Sequence, residues 1–387
     1  MKYNFVHILF WVSYCSVYGY IAVYLQFKGL SNTLIGVVSG GACLLSIVTS
    51  PFVSSLLSKI KGLTIKKLLV WLYILQFIVF ETMNLVSLPT ILVMVLYISL
   101  CCLIAAVVPV ISMICMNYIK SGEYLDFGVS RGLGSLSYAT TAAVLGPLIE
   151  MFDASVIGWM HLISSIALLL LLNTMPDSDI VEEDNEDKTD SSVFGLFKNK
   201  VFVLILFAIA FEFAASTSLS TYLVNIVTDL GGTTSLYGVA VFAMAASELP
   251  FMAITHTLLK KYKSETLILV ATFFYLFRNF TISFAPALPI LIIGMMFQGI
   301  SYGMFTATIT YYVNDYLTQN DQMMGQTLIA MMTTGLGSFA GNVIGGVLQD
   351  TFGLMSMKIF ACTLTVIGFM IMFMTLRDKT GKVVTAK

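Results

Sequence analysis

Gly132-Leu133-Gly134-Ser135 and Gly335-Leu336-Gly337-Ser338 are the same tetrapeptide, found twice at an offset of 203 residues in a chain of 387. Three further dipeptides recur in the same order and at nearly the same offset. Because the offset is close to half the chain length, the four matches together predict a duplication that produced two homologous halves. The three dipeptide pairs are Leu88-Pro89 with Leu288-Pro289, Pro51-Phe52 with Pro250-Phe251, and Tyr24-Leu25 with Tyr222-Leu223.

The composition is typical of a membrane protein. The sequence is 58% hydrophobic and 11% charged, with a mean hydropathy of +0.91, which leaves too little polar surface to cover a soluble globule. Apolar runs of about 20 residues are long enough to cross a bilayer as helices. These runs are continuously apolar and do not alternate with period two, so they predict helices and not the strands of a barrel. We place twelve of them at residues 5–27, 33–57, 67–87, 89–118, 129–150, 154–175, 200–227, 234–259, 266–285, 288–316, 324–348 and 354–376.

The basic residues predict the orientation of these spans. With both chain ends in the cytoplasm, all but three of the 20 Lys and Arg residues fall on the cytoplasmic side or in cytoplasmic loops. The exceptions are Lys28 and Lys358 on the outer side and Arg278 within a span. We therefore expect a multi-pass protein of the cell membrane with both termini in the cytoplasm.

One polar stretch divides the chain. Residues 177–192, DSDIVEEDNEDKTDSS, are too polar to pack in a core and fall between the sixth and seventh spans. We predict an N-terminal six-helix bundle over 1–176, an acidic cytoplasmic linker over 177–199 and a C-terminal six-helix bundle over 200–387. The alternative for the acidic run is a regulatory or protein-binding role. The fold class is thus an all-α membrane protein of two pseudo-symmetric bundles.

Three ionisable residues, Glu212, Glu248 and Arg278, stand out because they lie well inside predicted spans. A charge at the centre of a membrane helix costs about 2.5–3.5 kcal/mol on insertion scales, so each of these residues needs a reason to be there. One interpretation is an ion pair between Arg278 and a glutamate that holds helices together. The other is that a carboxyl without a basic partner carries a proton. The first half has uncharged residues at the corresponding positions, namely Tyr14, Thr49 and Ile78.

Other chemistry-bearing residues give weaker signals. His7 and His161 stand alone in apolar segments, and we expect both to be buried and hydrogen-bonded. The six cysteines lie in apolar spans without metal-ligand spacing, so we expect neither a metal nor a cofactor. The net charge of −1 predicts no nucleic-acid partner. Tyrosines such as Tyr302 offer both a flat apolar face and a hydroxyl for a polar solute.

The start of the fifth span carries a family resemblance. Phe127-Gly128-Val129-Ser130-Arg131-Gly132-Leu133-Gly134 fits the pattern Phe/Tyr-Gly-x-x-Arg-x-x-Gly. In this segment, and in its organisation over nearly the full length, the chain resembles the major facilitator superfamily, within it the branch of lactose permease and phenylpropionate permease. The resemblance implies that Arg131 binds solute hydroxyls. It also implies that Tyr138, seven positions later, stacks on a solute ring.

The resemblance extends to the second half with one departure. Glu248 stands where the family has a substrate-binding carboxylate, and Arg278 where it has the arginine that partners the proton site. The family's His-x-x-Glu is replaced by Gln298-Gly299-Ile300-Ser301. Lactose is therefore not the expected solute, and any proton coupling must use another acid, Glu212 or Glu248.

These observations predict a secondary active transporter and not an enzyme. We expect a monomer in the lipid bilayer that moves a small polar solute by alternating access in symport with protons. The solute is either sugar-like or oligosaccharide-like, or it is of the aromatic-acid or nucleoside type. Facilitated uniport, efflux and a non-transporting receptor or scaffold are the alternatives. A membrane enzyme would need convergent nucleophile, base or metal ligands, which the sequence does not offer. The predicted substrate-binding residues are Arg131, Tyr138, Glu248, Gln298 and Tyr302, and the predicted proton-coupling residues are Glu212, Glu248 and Arg278.

Overall fold

The structure is a computed structural model that describes residues 2–60, 62–120, 127–175, 196 and 199–377. The acidic run 177–192 lies outside these residues, as does most of the predicted linker. Within the described residues the fold is helical throughout, without a strand. The prediction of an all-α fold is therefore confirmed.

Twelve helical spans follow one another along the described chain, each close to its predicted position. Eleven of them are long and apolar enough to cross a membrane as they stand, and the first qualifies as one span bent by 56°. We number them α1 to α12. They are α1 (Lys2–Tyr14, Cys15–Gly19 and Ile21–Phe27), α2 (Asn32–Lys59), α3 (Ile65–Leu85), α4 (Thr90–Lys120), α5 (Phe127–Met151), α6 (Val156–Asn173), α7 (Lys200–Thr221 and Leu223–Asp229), α8 (Thr234–Leu259), α9 (Ser264–Ser283), α10 (Leu288–Met296, Gly299–Gly303 and Met304–Tyr316), α11 (Gln319–Ala330, Met331–Gly337 and Ser338–Phe352) and α12 (Leu354–Leu376).

Side-chain caps begin several of these helices. The Ser31 hydroxyl accepts a hydrogen bond from the main-chain N–H of Leu34 at the start of α2. Asn199 caps α7 in the same way through the N–H of Phe202, 3.2 Å away. Since the first N–H groups of a helix have no partner within it, such caps fix where the helix begins.

The first and seventh helices are both interrupted at a tyrosine. The helical path of α1 breaks at Tyr20, with φ −119° and ψ 21°. That of α7 breaks at Tyr222, with φ −100° and ψ 19°. The structural counterpart of Tyr222 is therefore Tyr20, and not Tyr24, with which the dipeptide match paired it. The corrected offset of 202 lies closer to that of the repeated tetrapeptide.

Three π-helical turns interrupt the regular winding, at Cys15–Gly19, Gly299–Gly303 and Met331–Gly337. A π-helical turn carries an extra residue and redirects the side chains around it, and such turns are frequent at functional sites. The first lies beside Tyr14 and the second begins directly after Gln298. The second turn thus adjoins a predicted substrate-binding residue, and the third contains Gly335 and Gly337 of the repeated tetrapeptide.

The chain folds into two compact units. Unit 1 comprises Met1–Glu186 together with Thr233–Phe242, and unit 2 comprises Asp187–Gly232 together with Ala243–Lys387. The first residues of α8 thus belong to unit 1. There the carboxylate of Glu150 accepts hydrogen bonds from the main-chain N–H of Ser235 at 2.7 Å and from the Thr234 hydroxyl at 3.3 Å. A carboxylate at this place satisfies the free N–H groups that begin α8.

Candidate functional site

Arg131 of α5 lies over the indole ring of Trp11 of α1. Its guanidinium carbon is 4.2 Å from the ring centroid, and its Nη1 donates a hydrogen bond to the Ser135 hydroxyl at 3.4 Å. Gly134, in the repeated tetrapeptide, makes room for the indole, because a Cβ there would overlap Trp11. The cation–π contact and the hydroxyl together hold an otherwise exposed arginine in one position.

Further rings surround this contact and form an aromatic cluster, which we define as Trp11, Tyr14, Tyr18 and Tyr138. Tyr14 stacks on Tyr18 with ring centroids 4.7 Å apart and lies 4.9 Å from Trp11. Tyr138 lies 6.3 Å from both Tyr14 and Trp11. All four side chains are only partly buried. Aromatic faces beside a guanidinium suit a solute that has both a ring and hydroxyl groups.

The equivalent place in unit 2 has no such cluster among the described residues. The repeat offset of 203 sets Tyr138 against Gly341, whose missing Cβ would overlap the Ala214 carbonyl of α7. Gly337, the counterpart of Gly134, faces the main chain of Ala210 and not an indole. Small residues let α7 and α11 approach closely. In unit 1 the corresponding helices are instead spaced by aromatic rings.

Glu248, Gln298 and Tyr302 come together in unit 2. The Gln298 amide nitrogen donates a hydrogen bond to Glu248 Oε1 at 3.2 Å. Tyr302 follows Gln298 by one turn of α10, within the π-helical turn, and its ring centroid lies 6.0 Å from that of Phe213. The main chain at Glu248 packs against Gly303. Three predicted substrate-binding residues therefore share one region of unit 2.

Arg278 of α9 is fully buried and bonded to neutral groups. Its Nη1 donates to the Ser216 hydroxyl at 3.0 Å and to Asn279 Oδ1 at 2.9 Å, and its Nη2 donates to the Ser220 hydroxyl at 3.4 Å. Asn279 in turn donates to the Thr365 hydroxyl at 2.8 Å. Among the described residues no carboxylate forms a direct salt bridge with this guanidinium, but Glu248 is close enough to attract it electrostatically. The interpretation of an ion pair with a glutamate therefore stays a prediction.

Glu212 lies on the same face of α7 as Ser216 and Ser220, one and two turns before them. Its side chain is 2% exposed, and neither carboxyl oxygen has a hydrogen-bond partner among the described residues. A Cβ added at Gly368 of α12 would lie 3.0 Å from Glu212 Cγ and 3.3 Å from its Cδ. The absent side chain at Gly368 is thus what gives the carboxyl its space.

The two isolated histidines behave differently. His7 is buried and its Nε2 lies 2.7 Å from the Tyr3 hydroxyl, as expected for a hydrogen-bonded core histidine. His161 is also buried, but neither ring nitrogen has a partner among the described residues. The described protein groups therefore supply no hydrogen bond to His161, whose neighbour across the helix interface is the ring of Phe80, and the expected hydrogen bond stays a prediction.

Several residues that contact the predicted site residues were not predicted from the sequence. Trp11 stands one turn before Tyr14, and at the offset of 202 its counterpart in the other half is Phe213, so a comparison of the halves does not single it out. Ser216 and Ser220 follow Glu212 at intervals of four, which places all three on one side of a helix. Hydroxyls at these positions are ordinary in membrane helices, so only the structure shows that they hold Arg278.

A cavity of about 380 Å³ in unit 2 is lined by residues near the ends of α8, α9 and α10, among them His256, Lys260 and Asp315. The Tyr316 hydroxyl at its wall donates a hydrogen bond to Glu265. None of the predicted site residues lines this cavity, so it is separate from both groups described above.

Comparison with known proteins agrees with this architecture. The MFS_1 like family matches residues 1–360. A maltose permease of Geobacillus stearothermophilus is 23% identical over 290 residues, which is 74% of this chain and 72% of the relative. The nucleoside transporter NupG superimposes with a TM-score of 0.82 at 14% identity over 97% of this chain and 98% of that one. A D-xylose-proton symporter superimposes with a TM-score of 0.67 at 14% identity over 96% of each chain.

Proposed function

Because the chain belongs to the MFS_1 like family of membrane transporters, we propose that it moves a saccharide or a nucleoside across the cell membrane in symport with protons. It is a multi-pass membrane protein, and the distribution of Lys and Arg supports placing both termini in the cytoplasm. We propose that the protein functions as a monomer surrounded by lipid.

The contact between Arg131 and Trp11 carries the assignment of the solute class. The guanidinium carbon lies 4.2 Å from the indole centroid of Trp11, and the indole in turn lies beside the rings of Tyr14 and Tyr138. Guanidinium donors bind hydroxyls, and aromatic faces stack on a pyranose or a nucleobase. The similarity to a maltose permease favours a saccharide as the solute, whereas the similarity to NupG supports a nucleoside.

Unit 2 supplies the acids for proton coupling. A charged carboxylate without a partner is costly in an apolar core, and uptake of a proton removes that cost. Glu212 meets this description, since neither of its oxygens is hydrogen-bonded within the described chain. Glu248, which accepts a hydrogen bond from Gln298, is the second candidate and also a candidate solute ligand. Arg278 holds the face of α7 that carries Glu212, through Ser216 and Ser220.

Uptake by proteoliposomes tests the proposal. Purified protein is reconstituted, and accumulation of radiolabelled maltose, xylose and uridine is measured with and without an inward proton gradient. We expect one solute to accumulate only with the gradient. Arg131→Ala should abolish its uptake, and Glu212→Gln or Glu248→Gln should leave exchange intact while removing accumulation above equilibrium.

The outcomes separate the alternatives. Equal uptake with and without the gradient identifies a uniporter, and gradient-driven loss from preloaded vesicles identifies an efflux carrier. If none of the probes moves in either direction, a receptor or scaffold becomes the better interpretation. If both glutamine variants still accumulate solute, the coupling acids have been assigned incorrectly.

A further inference from the structure

Unit 1 contains a row of buried polar side chains that the proposed function does not use. Tyr73, Gln76, Glu81 and Asn84 lie along α3, where Tyr73 and Gln76, and likewise Glu81 and Asn84, are three residues apart and so adjacent on the helix surface. Tyr73 and Gln76 are fully buried and Glu81 is 7% exposed. Each of the four has at least one buried side-chain polar atom without a hydrogen bond of good geometry among the described residues, although Glu81 lies near Asn84 and the Tyr73 hydroxyl lies near Ser13.

Helix α6 presents the same kind of groups to this row. Both ring nitrogens of His161 and the hydroxyl of Ser165 lack a partner within the described chain, and both side chains are fully buried. Tyr24 of α1 adds a further buried hydroxyl without a partner, and its ring centroid lies 5.0 Å from that of Phe80. We call this set of seven residues the polar seam: Tyr24, Tyr73, Gln76, Glu81, Asn84, His161 and Ser165.

Two contacts fix the register of α3 against α6. A Cβ on Gly158 would overlap the Asn84 amide, and the Phe80 ring centroid lies 4.9 Å from that of His161. From Asn84 back to Phe80 on α3, the contacts move forward from Gly158 to His161 on α6. The two helices therefore pack antiparallel. Continuing this register by one turn sets Gln76 level with Ser165. The seam residues of α3 and α6 therefore lie at neighbouring levels of the interface between these two helices.

The chemistry of the seam selects one kind of ligand. Leaving even half of its ten unpartnered polar atoms unsatisfied would cost about as much as the whole net stability of a typical domain. The atoms include amide and imidazole donors as well as carbonyl, hydroxyl and carboxyl acceptors. A metal ion would be repelled by the donors, and an anion by the acceptors. Water donates and accepts at the same time and so fits both.

We propose that the polar seam holds a file of internal water molecules that leads from Glu81 to Tyr73 between α3 and α6. A buried water makes about three hydrogen bonds, so the ten polar atoms correspond to about three to five molecules. The file gives the carboxyl of Glu81 hydrogen-bond partners inside unit 1. It is distinct from the coupling acids of unit 2, and it stands whether or not transport is driven by protons.

Radiolytic hydroxyl labelling with mass spectrometry tests this proposal on the intact wild-type protein, because X-ray pulses generate hydroxyl radicals from bound water next to buried side chains. We expect Tyr73 to be labelled several-fold faster than Tyr222. Tyr222 is the matched control, since it is equally buried but its hydroxyl is bonded to the Asn342 carbonyl. If Tyr73 reacts no faster than Tyr222, the seam is dry and the proposal is overturned.

A variant provides a second, independent comparison. Replacing Gln76 by Leu and Ser165 by Ala removes polar groups at the middle of the file and should lower the labelling of His161 several-fold. Undiminished labelling of His161 in a variant that remains folded would contradict the water file. The wild-type comparison decides the question alone if the variant does not fold.

Discussion

The hydroxyl of Tyr222 donates a hydrogen bond to the main-chain carbonyl of Asn342, 3.0 Å away. In the other half the hydroxyl of Tyr20 does the same to the carbonyl of Ala142, at 2.5 Å. Both tyrosines are fully buried, and each stands where its helix breaks. A bend that exposes main-chain groups needs support from a neighbouring helix, and both halves provide it with the same side chain. The duplication thus preserved a bend together with its anchor.

We expect Tyr222→Phe to destabilise the protein by about 0.5–1.5 kcal/mol, the usual net value of one hydrogen bond. The ring would remain in place, and the hydrogen bond to Asn342 would be lost. The measurement is the thermal unfolding midpoint of the detergent-solubilised protein. Tyr275→Phe is the matched control, because Tyr275 is equally buried but its hydroxyl has no partner among the described residues. Equal midpoints for the two variants would show that the bond to Asn342 contributes nothing.

Gly134→Ala should displace the indole of Trp11 and with it the guanidinium of Arg131. A Cβ at Gly134 would overlap the indole, whereas a Cβ at Gly132, two residues earlier, would meet open space. Overpacking of this kind costs about 1–3 kcal/mol. We expect Gly134→Ala to raise the KM for the solute identified in the uptake assay, and Gly132→Ala to leave it unchanged. A normal KM for Gly134→Ala would separate Trp11 from solute binding.

The duplication predicted the arrangement of the helices but not which side chains pack at equivalent positions in the two halves. The repeated tetrapeptide correctly set α5 and α11 in equivalent positions, and the continuous apolar runs located all twelve spans. The glycines themselves did not show that Gly134 receives Trp11 while Gly337 receives Ala210. That difference depends on which side chain the facing helix presents. It can be read from a sequence only after the pairing of the helices is known.

Predictions about individual polar residues succeeded less evenly, for a related reason. Glu212 and Arg278 stood out because charges are rare in membrane helices, and both are indeed buried. The sequence did not indicate that Glu81 is buried, because Glu81 lies close to the end of its span, where a charge is usually solvated. The hydroxyls that hold Arg278 gave no signal, since serine is common at helix interfaces. Composition identifies unusual residues, but it does not identify their partners.

Arg278→Lys should destabilise unit 2 and abolish transport. The guanidinium reaches Ser216, Ser220 and Asn279 at once through its planar fork, which a lysine ammonium cannot reproduce. Loss of two hydrogen bonds corresponds to about 1–3 kcal/mol. Thermal unfolding and uptake are measured on the same preparation. The control is Arg377→Lys at the exposed end of α12, which should behave as wild type. Full transport by Arg278→Lys would mean that only the positive charge matters.

An ion pair in unit 2 resembles a weaker charge interaction of reversed sign in unit 1. The ammonium of Lys358 lies 3.0 Å from the carboxylate of Asp229, with side-chain exposures of 5% and 55%. In unit 1, Asp153 accepts a hydrogen bond from the N–H of Ser155 at 2.7 Å. The pKa of Asp153 is held below its ordinary value by Ser155 first and by the charge of Lys28 second. Lys28 directly follows α1 and Asp229 ends α7, whereas Asp153 lies just before α6 and Lys358 lies in the second turn of α12, so the two pairs occupy similar positions near the ends of corresponding helices.

Exchange of the two charges in unit 2 therefore tests whether the pair or its local environment supplies the stability. Asp229→Asn leaves a nearly buried ammonium without its carboxylate, and we expect a loss of about 1–3 kcal/mol, less than for a fully buried pair because Asp229 is 55% exposed. The double variant Asp229→Lys with Lys358→Asp has the sign that unit 1 already uses at this place, so it should recover most of the unfolding midpoint. If the double variant is less stable than Asp229→Asn, the buried position tolerates only the ammonium. In that case the reversed sign in unit 1 depends on Ser155, whose hydrogen bonds are the larger influence on the pKa of Asp153.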